Sequence, residues 1–415
     1  MESRSNKLRG HGAAPSSSVP YDVLRFNILP RLSFKSLTRF KSVSKSWHAL
    51  ISGDPLFAAD QSLHPSPASS GFVYIASSGV EFLSPPDTPI GVSHPSYPLL
   101  STCFPSHHLK LLASTNGLLC CGVGVPDFSH DGAFPNFNLL YVFSPVTKEA
   151  HFIPATKYRR LFVGLAFDPS NSPRRYTLVC LRRRHVVIEG YPKTWFQFHV
   201  FSSDTRRWMI SNQRVLVDDL MSCEPPAVFA GGVLYWDCLH YLIWFDPSKN
   251  LAGWMPLPEK PSSASQHQIG VWEGRVLTCT QTWKDEVEVF VMANGSSSGN
   301  WMRRHRASFE TMVTRNPEVF ARFCHPMRLR SKSFCKRLLS RWFLRPLALD
   351  GGDKLYLGVR PKVLKSKAKE RVLCYELRTG EMTWISDGVR FMPSEERVFC
   401  YHNSMVGLPR RTGQR

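Results

Sequence analysis

The residues of this chain that are equipped for catalysis or metal binding do not form a recognised constellation. The nearest approach to a metal-binding cluster is Cys324-His325 with Cys335, but the sequence has neither paired cysteines at zinc-binding spacing nor a His-Glu-x-x-His motif. His107-His108 is interpreted as a pair in a loop. Gly122-Val123-Gly124 lacks the third glycine and the following helix of a nucleotide-binding loop. The sequence therefore predicts no catalytic residue, no metal site and no cofactor.

Residues 303–345 form a strongly basic segment with only two acidic residues, Glu310 and Glu318. Because arginine binds phosphate bidentately, nucleic acid is one candidate partner, and a nuclear-import patch is a second interpretation. The preferred interpretation is the solvated face of an insertion or a degenerate repeat unit, with a basic amphipathic helix over residues 333–344. The basic residues are Arg303, Arg304, Arg306, Arg315, Arg322, Arg328, Arg330, Lys332, Lys336, Arg337, Arg341 and Arg345.

The composition indicates a mainly β protein of the cell interior. The chain has 415 residues, of which 43% are hydrophobic, and its 31 prolines and 26 glycines suit many short strands and turns. Its eleven cysteines are scattered, and residues 1–18 lack the apolar core of a signal peptide. We therefore expect the cytoplasm or the nucleus, with no membrane association. The net charge of +20 admits nucleic acid, acidic proteins or an anionic membrane surface as partners and selects none of them.

Residues 19–57 are the elements most clearly organised to bind something. Leu24, Ile28 and Leu32 recur at the spacing of one helix face, which predicts a first helix that begins near Pro20. Residues 33–36 are predicted to be a break with polar capping candidates. A second helix is predicted over Leu37, Phe40 and Val43, and a third after Ser44, ending at Gly53-Asp54-Pro55. Three such short helices cannot cover all of their large apolar residues. The surplus is interpreted as a surface for another protein.

This stretch resembles the F-box, the module that attaches a substrate receptor to a Skp–cullin–F-box ubiquitin ligase. Val19, Ser33 and Ser44 depart from the usual leucine, proline and cysteine of the family. The matching residues are Pro20, Asp22-Val23-Leu24, Ile28-Leu29, Arg31-Leu32, Lys35-Ser36-Leu37, Arg39-Phe40-Lys41-Ser42-Val43, Lys45-Ser46-Trp47, Leu50-Ile51 and Asp54-Pro55-Leu56-Phe57. The resemblance implies that a Skp-type linker protein binds here, and through it cullin. The residues expected to contact the linker, or to hold the helices together, are Pro20, Leu24, Ile28, Leu29, Leu32, Leu37, Phe40, Val43, Trp47, Leu50 and Ile51.

Beyond residue 70 the chain repeats a strand, a polar turn and a second strand that begins near tryptophan. Phe201, Phe245 and Phe290 end successive copies at intervals of roughly 45 residues, the period of a four-stranded propeller blade. Glycine-led strands, interpreted as inner strands, lie between these copies. The first strand is expected near Phe72 and ring closure within residues 398–406. Arg182-Arg183-Arg184-His185 is interpreted as a strand-end loop at a blade rim, suited to acidic or phosphorylated targets.

This second part resembles the F-box-associated, Kelch-like domain found mainly in plant F-box proteins. The residues that carry the resemblance are Ser114-Thr115-Asn116-Gly117-Leu118-Leu119-Cys120, Phe143-Ser144-Pro145-Val146-Thr147-Lys148, Gly232-Val233-Leu234-Tyr235-Trp236, Phe245-Asp246-Pro247 and Tyr401-His402-Asn403-Ser404-Met405-Val406. The expected fold class is mainly β with an N-terminal all-α module, a three-helix F-box followed by a Kelch-like β-propeller of six or seven blades.

The predicted organisation is a disordered N-terminus at residues 1–18, the F-box at 19–60, a linker at 61–70, the propeller at 71–408 and a tail at 409–415. The predicted function is a non-catalytic adaptor whose propeller binds an unidentified protein target for ubiquitination. The alternative is a basic regulatory protein that binds nucleic acid through residues 303–345. A propeller enzyme ranks last, because no catalytic constellation was identified.

Overall fold

The computed structural model describes residues 19–63, 70–76, 79–83, 108–125, 136–154, 162–173, 175–218, 227–259, 266–283, 285–293, 299–323, 342–350, 353–361, 370–389 and 398–408. The N-terminal and C-terminal segments predicted at residues 1–18 and 409–415 lie outside these ranges. Among the described residues, no helix is both long and apolar enough to cross a membrane.

The N-terminal helices begin irregularly and then become regular. Val23–Ile28 is a π-helical stretch and Leu29–Arg31 a 3-10 turn, so the single first helix predicted from the leucine spacing is wrong. Pro30 explains the break, because proline has no backbone N–H with which to continue a helix. The second helix begins at Phe34, inside the break predicted at residues 33–36, and ends before Val43, whereas the third helix begins after Ser44 as predicted. These two helices are α1, Phe34–Phe40, and α2, Lys45–Gly53.

Two serines start these helices by accepting backbone hydrogen bonds. Ser33 Oγ accepts from the N–H of Ser36 at 3.3 Å, and Ser44 Oγ accepts from the N–H of Trp47 at 3.2 Å. Such caps satisfy backbone donors that have no partner within the helix. The serines that depart from the F-box pattern therefore have a structural role in this chain.

A further helix, α3 (Pro55–Leu63), follows at once and includes residues 61–63 of the linker predicted at 61–70, whose residues 64–69 lie outside the described part of the chain. Asp54 Oδ1 accepts from the N–H of Leu56 at 2.9 Å and of Phe57 at 3.2 Å, and Pro55 occupies the first helical position. Asp-Pro after Gly53 ends one helix and equally starts another, since an aspartate cap and a proline at the first position both favour a helix start. The composition of this stretch favours a linker, but burial of the apolar residues of α3 stabilises a helix.

The described strands form six antiparallel sheets, and contacts between their innermost strands arrange them as the blades of a ring. The first blade contains β1 (Ser70–Ala76), β2 (Gly79–Leu83) and β23 (Val398–His402). The second contains β3 (His108–Thr115), β4 (Leu118–Val125), β5 (Asn136–Phe143) and β6 (Ala150–Pro154). The third contains β7 (Phe162–Phe167), β8 (Tyr176–Ile188), β9 (Tyr191–Ser202) and β10 (Arg207–Val217).

The remaining blades are regular four-stranded sheets. The fourth contains β11 (Ala227–Ala230), β12 (Val233–Asp237), β13 (Tyr241–Asp246) and β14 (Leu251–Pro256). The fifth contains β15 (Gln266–Trp272), β16 (Val276–Trp283), β17 (Glu286–Met292) and β18 (Trp301–Ser308). The sixth contains β19 (Trp342–Asp350), β20 (Lys354–Pro361), β21 (Glu370–Glu376) and β22 (Met382–Val389). The fold is a six-bladed β-propeller behind a short helical region, which confirms the predicted fold class.

The ring closes by pairing its first strand with its last. In the first blade β23 lies innermost and pairs with β1, in a register that sets Phe72 opposite Cys400 and Val73 opposite Phe399. The closure expected from residues 398–406 is therefore confirmed. Closing the ring leaves only short protected strand edges.

The sequence repeat corresponds to one hairpin in each blade. The aromatic-ended strand and the strand that begins near tryptophan are the third and fourth strands, as in β9–β10 and β13–β14. The glycine-led strands are second strands, so their interpretation as inner strands is wrong: the contacts between blades run through first strands such as β3, β7 and β11. Glycine precedes them because the preceding tight turn needs positive φ, as at Gly232 (φ 88°).

Neighbouring blades are joined by aromatic packing and by repeated tryptophan hydrogen bonds. Phe198 stacks on Phe245 across the third and fourth blades, with ring centroids 4.6 Å apart. Trp208 Nε1 donates to the carbonyl of Pro154, and Trp301 Nε1 donates to the carbonyl of Pro256, both at 3.0 Å. Each tryptophan thus ties an outer strand to the end of the outer strand in the preceding blade.

The basic segment is shared between two regular blades. Its described parts are the outer strand β18, the helices α4 (Phe309–Arg315) and α5 (Pro317–Ala321), and the start of β19. The helix predicted at 333–344 is wrong over its last three residues, which belong to β19, and its remainder lies outside the described residues. Cross-strand pairing with β20 explains the difference, because Trp342 lies opposite Pro361.

The described cysteines are predominantly buried thiols, and their reactivity is predictable. Burial raises the pKa of Cys120 and Cys180 well above the ordinary value and raises that of Cys374 to about 12. Since the thiolate is the reactive form, we expect iodoacetamide at mildly alkaline pH to leave Cys120 and Cys180 unmodified until the protein is unfolded. Peptide mass spectrometry measures this directly. Rapid alkylation of Cys120 in the native protein would contradict the packing between the second and third blades.

Candidate functional site

Four of the eleven residues predicted to bind a linker are buried. Leu29, Leu37, Leu50 and Ile51 belong to one apolar cluster, which also includes Met405 from the C-terminal end of the ring. These four side chains hold the helices to one another and to the propeller. Their part in binding a partner stays a prediction.

The other seven keep apolar surface on the outside of the helices. Pro20, Ile28 and Val43 are exposed, and Val43 has a relative accessibility of 62%. The half-buried residues of the set are Leu24, Leu32, Phe40 and Trp47. The ring centroids of Phe40 and Trp47 lie 5.1 Å apart, so this pair both packs on the cluster and presents an aromatic edge outward. The N-terminal helices therefore bury a core and still leave an apolar surface.

Sequence reasoning missed part of this surface. Tyr21, Val23 and Phe26 are also exposed, and the guanidinium carbon of Arg25 lies 4.9 Å from the centroid of the Phe26 ring. Val23 and Phe26 are three residues apart, the spacing of a second helical stripe beside the leucine stripe. The spacing of Val23 and Phe26 was therefore the feature of the sequence that could have identified this part of the surface.

The charges around this apolar surface are mainly basic. Arg31, Arg39 and Lys45 are exposed, whereas Asp54 is engaged by an ion pair with Arg25. Burial lowers the pKa of the nearby Lys41. A partner that covers this surface is best matched by acidic residues at its edge.

Helix α3 joins these helices to the propeller. Gln61 is buried; its Nε2 donates to the carbonyl of Asn403 at 3.4 Å, and its Oε1 accepts from the N–H of Met405 at 3.0 Å. Farther along, the N–H of Leu408 donates to Glu149 Oε2 at 2.6 Å. The backbone that follows β23 is therefore bonded on one side to α3 and on the other to the second blade.

Three of the described arginines of the basic segment, Arg303, Arg306 and Arg345, pair with carboxylates. Arg303 Nη1 lies 2.8 Å from Glu288 Oε1, and Arg306 Nη2 lies 2.6 Å from Glu286 Oε1. These are cross-strand pairs between β17 and β18 on the outside of the fifth blade. They reduce the charge that this strand offers to phosphate groups.

The ring shows no metal centre among its described residues, where no three His, Cys, Asp or Glu side chains converge on a common point. The Cys324-His325 and Cys335 group and His107 lie outside the described residues, whereas His108, which was also interpreted as part of a loop, begins β3.

A family model for the F-box domain matches residues 17–58, the stretch that contains α1, α2 and the first turn of α3. The chain contains an F-box domain. The apolar surface and its basic edge are therefore features of an F-box, and the buried residues Leu29, Leu37, Leu50 and Ile51 anchor that F-box to the ring.

The similarity to curated proteins extends beyond the F-box. F-box protein At5g07610 of Arabidopsis thaliana is 26% identical over 346 residues, covering 76% of this chain and 78% of that protein. F-box protein At5g49610 of the same plant is 29% identical over 258 residues, covering 58% of this chain and 64% of that protein. Both alignments are longer than the F-box and so include part of the propeller.

Comparison with solved structures gives matches with low TM-scores. The β-propeller domain of the Trilobed protease from Pyrococcus furiosus has a TM-score of 0.33 at 9% identity, covering 67% of this chain and 71% of that chain. The Nup133 β-propeller domain of Vanderwaltozyma polyspora has a TM-score of 0.32 at 8% identity, covering 67% of this chain and 74% of that chain.

Proposed function

We propose that this protein is the substrate-recognition adaptor of a Skp–cullin–F-box ubiquitin ligase. Its F-box binds a Skp-type linker protein, the linker joins it to cullin, and the propeller holds a target protein for ubiquitination. The observation that carries the proposal is the apolar surface that the F-box keeps outside its own core, with Val43, Ile28 and Phe26 exposed.

A partner that covers this apolar surface would stabilise the protein in the complex. Exposed apolar side chains grouped on one surface cost free energy in water, and their burial in an interface recovers it. Trp47 is the expected anchor, because it is half-buried, held against Phe40, and of a type whose truncation in an interface costs about 2–4 kcal/mol. The basic edge at Arg31 and Arg39 adds attraction for an acidic linker surface.

The proposed role in ubiquitination is positional and not catalytic. Holding a target lysine close to a charged conjugating enzyme replaces a bimolecular encounter with an intramolecular one. The shared core of the F-box and the ring supports this role, because a rigid connection keeps the bound target at a constant distance from the linker. We place this activity in the cytoplasm or the nucleus, where buried free thiols such as Cys120 and Cys180 remain reduced.

We expect the double substitution Ile28→Asp/Val43→Asp to weaken linker binding about 100-fold, or about 2.7 kcal/mol, because it places two charges in an apolar interface. Both residues are exposed, so the fold should persist. The measurement is isothermal titration calorimetry with a purified Skp-type linker, and thermal melting checks the fold of the variant.

The matched control is Met302→Asp, which changes an exposed apolar residue on β18 of the propeller. It should bind the linker as the wild type does. Wild-type protein that fails to bind the linker, or a double variant that binds with unchanged affinity, would disprove the docking role of this surface.

A further inference from the structure

One hairpin of the propeller is longer than the strands on either side of it. The last pair between β7 and β8 joins Phe162 to Leu181, and the last pair between β9 and β10 joins Thr194 to Val217. Strands β8 and β9 continue to pair with each other as far as Ile188 and Tyr191. Residues 182–193 therefore extend beyond the rest of the described third blade as a two-stranded arm.

This arm lies at the end of the ring opposite the F-box. Strands of a blade are antiparallel, so the turns from first to second strand lie at one end and the connections from second to third strand at the other. Gly117, in the turn from β3 to β4, lies against Ser404, next to the backbone that Gln61 of α3 binds. The F-box thus sits at the first-to-second turn end, and the β8–β9 connection lies at the other. The thirteen residues of β8 span about 40 Å at roughly 3.3 Å per residue.

The arm is braced by a tight turn and by side-chain contacts at its base. Glu189 (φ 54°) and Gly190 (φ 82°) make a two-residue turn with both φ values positive, the type that matches the twist of a hairpin. His185 Nδ1 lies 3.1 Å from Thr194 Oγ1, and Lys193 Nζ lies 3.0 Å from Asp218 Oδ1 at the end of β10. An arm that is already ordered loses little conformational entropy when it binds a partner.

The tip of the arm is apolar and open to solvent. Val187 and Tyr191 have relative accessibilities of 72% and 70%, the two highest among the exposed large hydrophobic residues of the described chain. Pro192 beside them is exposed as well, and a Cβ added at Gly190 would meet no atom within 4 Å. This combination of apolar and aromatic side chains on a rigid projection is typical of a binding anchor.

The base of the arm is basic. Arg182, Arg183 and Arg184 are consecutive on β8, and Arg184 is exposed. The guanidinium carbon of Arg183 lies 5.4 Å from the centroid of the Phe162 ring. Including Lys193, the arm and its attachment carry four basic residues against the acidic Glu189 and Asp218. On the face of the arm that carries Tyr191, a partner that follows the arm from tip to base meets the exposed aromatic ring first and Arg184 next, whereas Val187 and Pro192 lie opposite each other on the other face.

We propose that this β8–β9 arm, residues 182–193, is the main contact through which the propeller holds its target, and that the target presents an acidic segment containing large apolar side chains. The inference rests on the proposed adaptor function and names the target class. An acidic protein segment matches the arm better than nucleic acid does, because nucleic acid has no aliphatic side chains to cover Val187 and Pro192. The position opposite the F-box leaves the arm accessible while a linker is bound.

The test uses the full chain with its linker bound, and short random peptides displayed on phage as the probe. We expect the enriched peptides to combine Asp or Glu with at least one Phe, Leu, Ile or Val. In fluorescence anisotropy with the synthesised peptides, we expect Val187→Ser/Tyr191→Ser and Arg184→Glu each to weaken binding about tenfold or more. Met209→Ser is the matched control, since Met209 is an exposed apolar residue on β10 of the same blade but outside the arm, and it should bind as the wild type does.

Several results would overturn the proposal. The first is that no peptides are enriched, or that the enriched peptides lack acidic residues. The second is that the tip variant, Val187→Ser/Tyr191→Ser, binds the peptides with unchanged affinity. The third is that the wild type binds oligothymidine but no peptide, and that Arg184→Glu abolishes the oligothymidine binding. Linker binding is measured on the same samples. If the linker binds and the arm variants do not affect peptide binding, the arm proposal fails alone, whereas a wild-type protein that cannot bind the linker removes the adaptor function itself.

Discussion

Replacing Phe57 with alanine is expected to lower the free energy of unfolding by about 3–5 kcal/mol, the usual cost of removing a buried aromatic side chain. Phe57 lies on α3 with a relative accessibility of 1%, in the apolar cluster that contains Ile51 of the F-box and Met405 of the ring. The substitution opens a cavity at the point where the two parts of the molecule share a core. We therefore expect both lower stability and a weaker attachment of the F-box to the propeller.

The neighbouring residue provides the control. Leu56 has a relative accessibility of 63%, so Leu56→Ala should change stability by less than about 0.5 kcal/mol. Urea denaturation followed by intrinsic fluorescence measures both variants, and limited proteolysis reports whether cleavage after α3 becomes faster in Phe57→Ala. Equal stability of the two variants would contradict a shared core between the helices and the ring.

The second large effect is expected from Glu370→Ala, which should lower stability by about 3–5 kcal/mol because it removes one partner of a buried ion pair. Arg345 Nε and Nη2 donate to Glu370 Oε1 and Oε2, each at 2.8 Å, and both side chains are almost fully buried. The pair forms across Gly358 on the intervening strand β20, where a Cβ would lie 2.0 Å from Glu370 Oε1. Only glycine allows the carboxylate to reach Arg345 there.

The matched substitution is Glu288→Ala in the fifth blade. Glu288 pairs with Arg303, whose side chain is half exposed to water, so its removal should cost less than about 1 kcal/mol. The midpoints of urea denaturation are compared for Glu370→Ala and Glu288→Ala. Their difference measures how much burial changes the contribution of an Arg–Glu pair to stability. A Glu370→Ala midpoint no lower than that of Glu288→Ala would show that the buried pair is not needed for stability.

In the proposed adaptor, the fold sets the geometry of target presentation. Gln61 bonds the backbone that follows the ring-closing strand β23, so the F-box is attached where the propeller closes. The proposed target-binding arm lies at the opposite end of the ring. Weakening the attachment at Phe57 should therefore disturb ubiquitination of the target more than binding of the linker or of the target measured separately.

The nucleic-acid alternative depended on the arginines of residues 303–345 acting together. In the described part of that segment, Arg303 and Arg306 pair with glutamates on β17, and Arg345 is buried with Glu370. An arginine that is paired with a carboxylate contributes less to phosphate binding than a free arginine, because its contact with the carboxylate must be broken before it can contact a phosphate. The sequence shows the charge of the segment but not the glutamates that face it from another strand.

Much of the architecture was determined locally by the sequence. Ser44 caps the helix that it was predicted to start, and Ser33 is one of the capping candidates predicted at residues 33–36, because a cap needs only a side-chain oxygen within a few residues. The hairpins that end near tryptophan, such as β9–β10, followed from strand alternation and turn residues, which also act over short distances. The same local signals identified the resemblance to the F-box.

The tertiary structure alone decided which apolar residues of the F-box face outward. Ile28 and Leu29 are adjacent and chemically alike, yet Ile28 is exposed and Leu29 is buried. Helix α3 likewise occupies part of the predicted linker, where Gln61 is bonded to residues more than 340 positions away. The spacing of residues in a helix determines which side chains share a face. It does not determine what covers that face, because the C-terminal end of the ring reaches these helices only when the propeller closes.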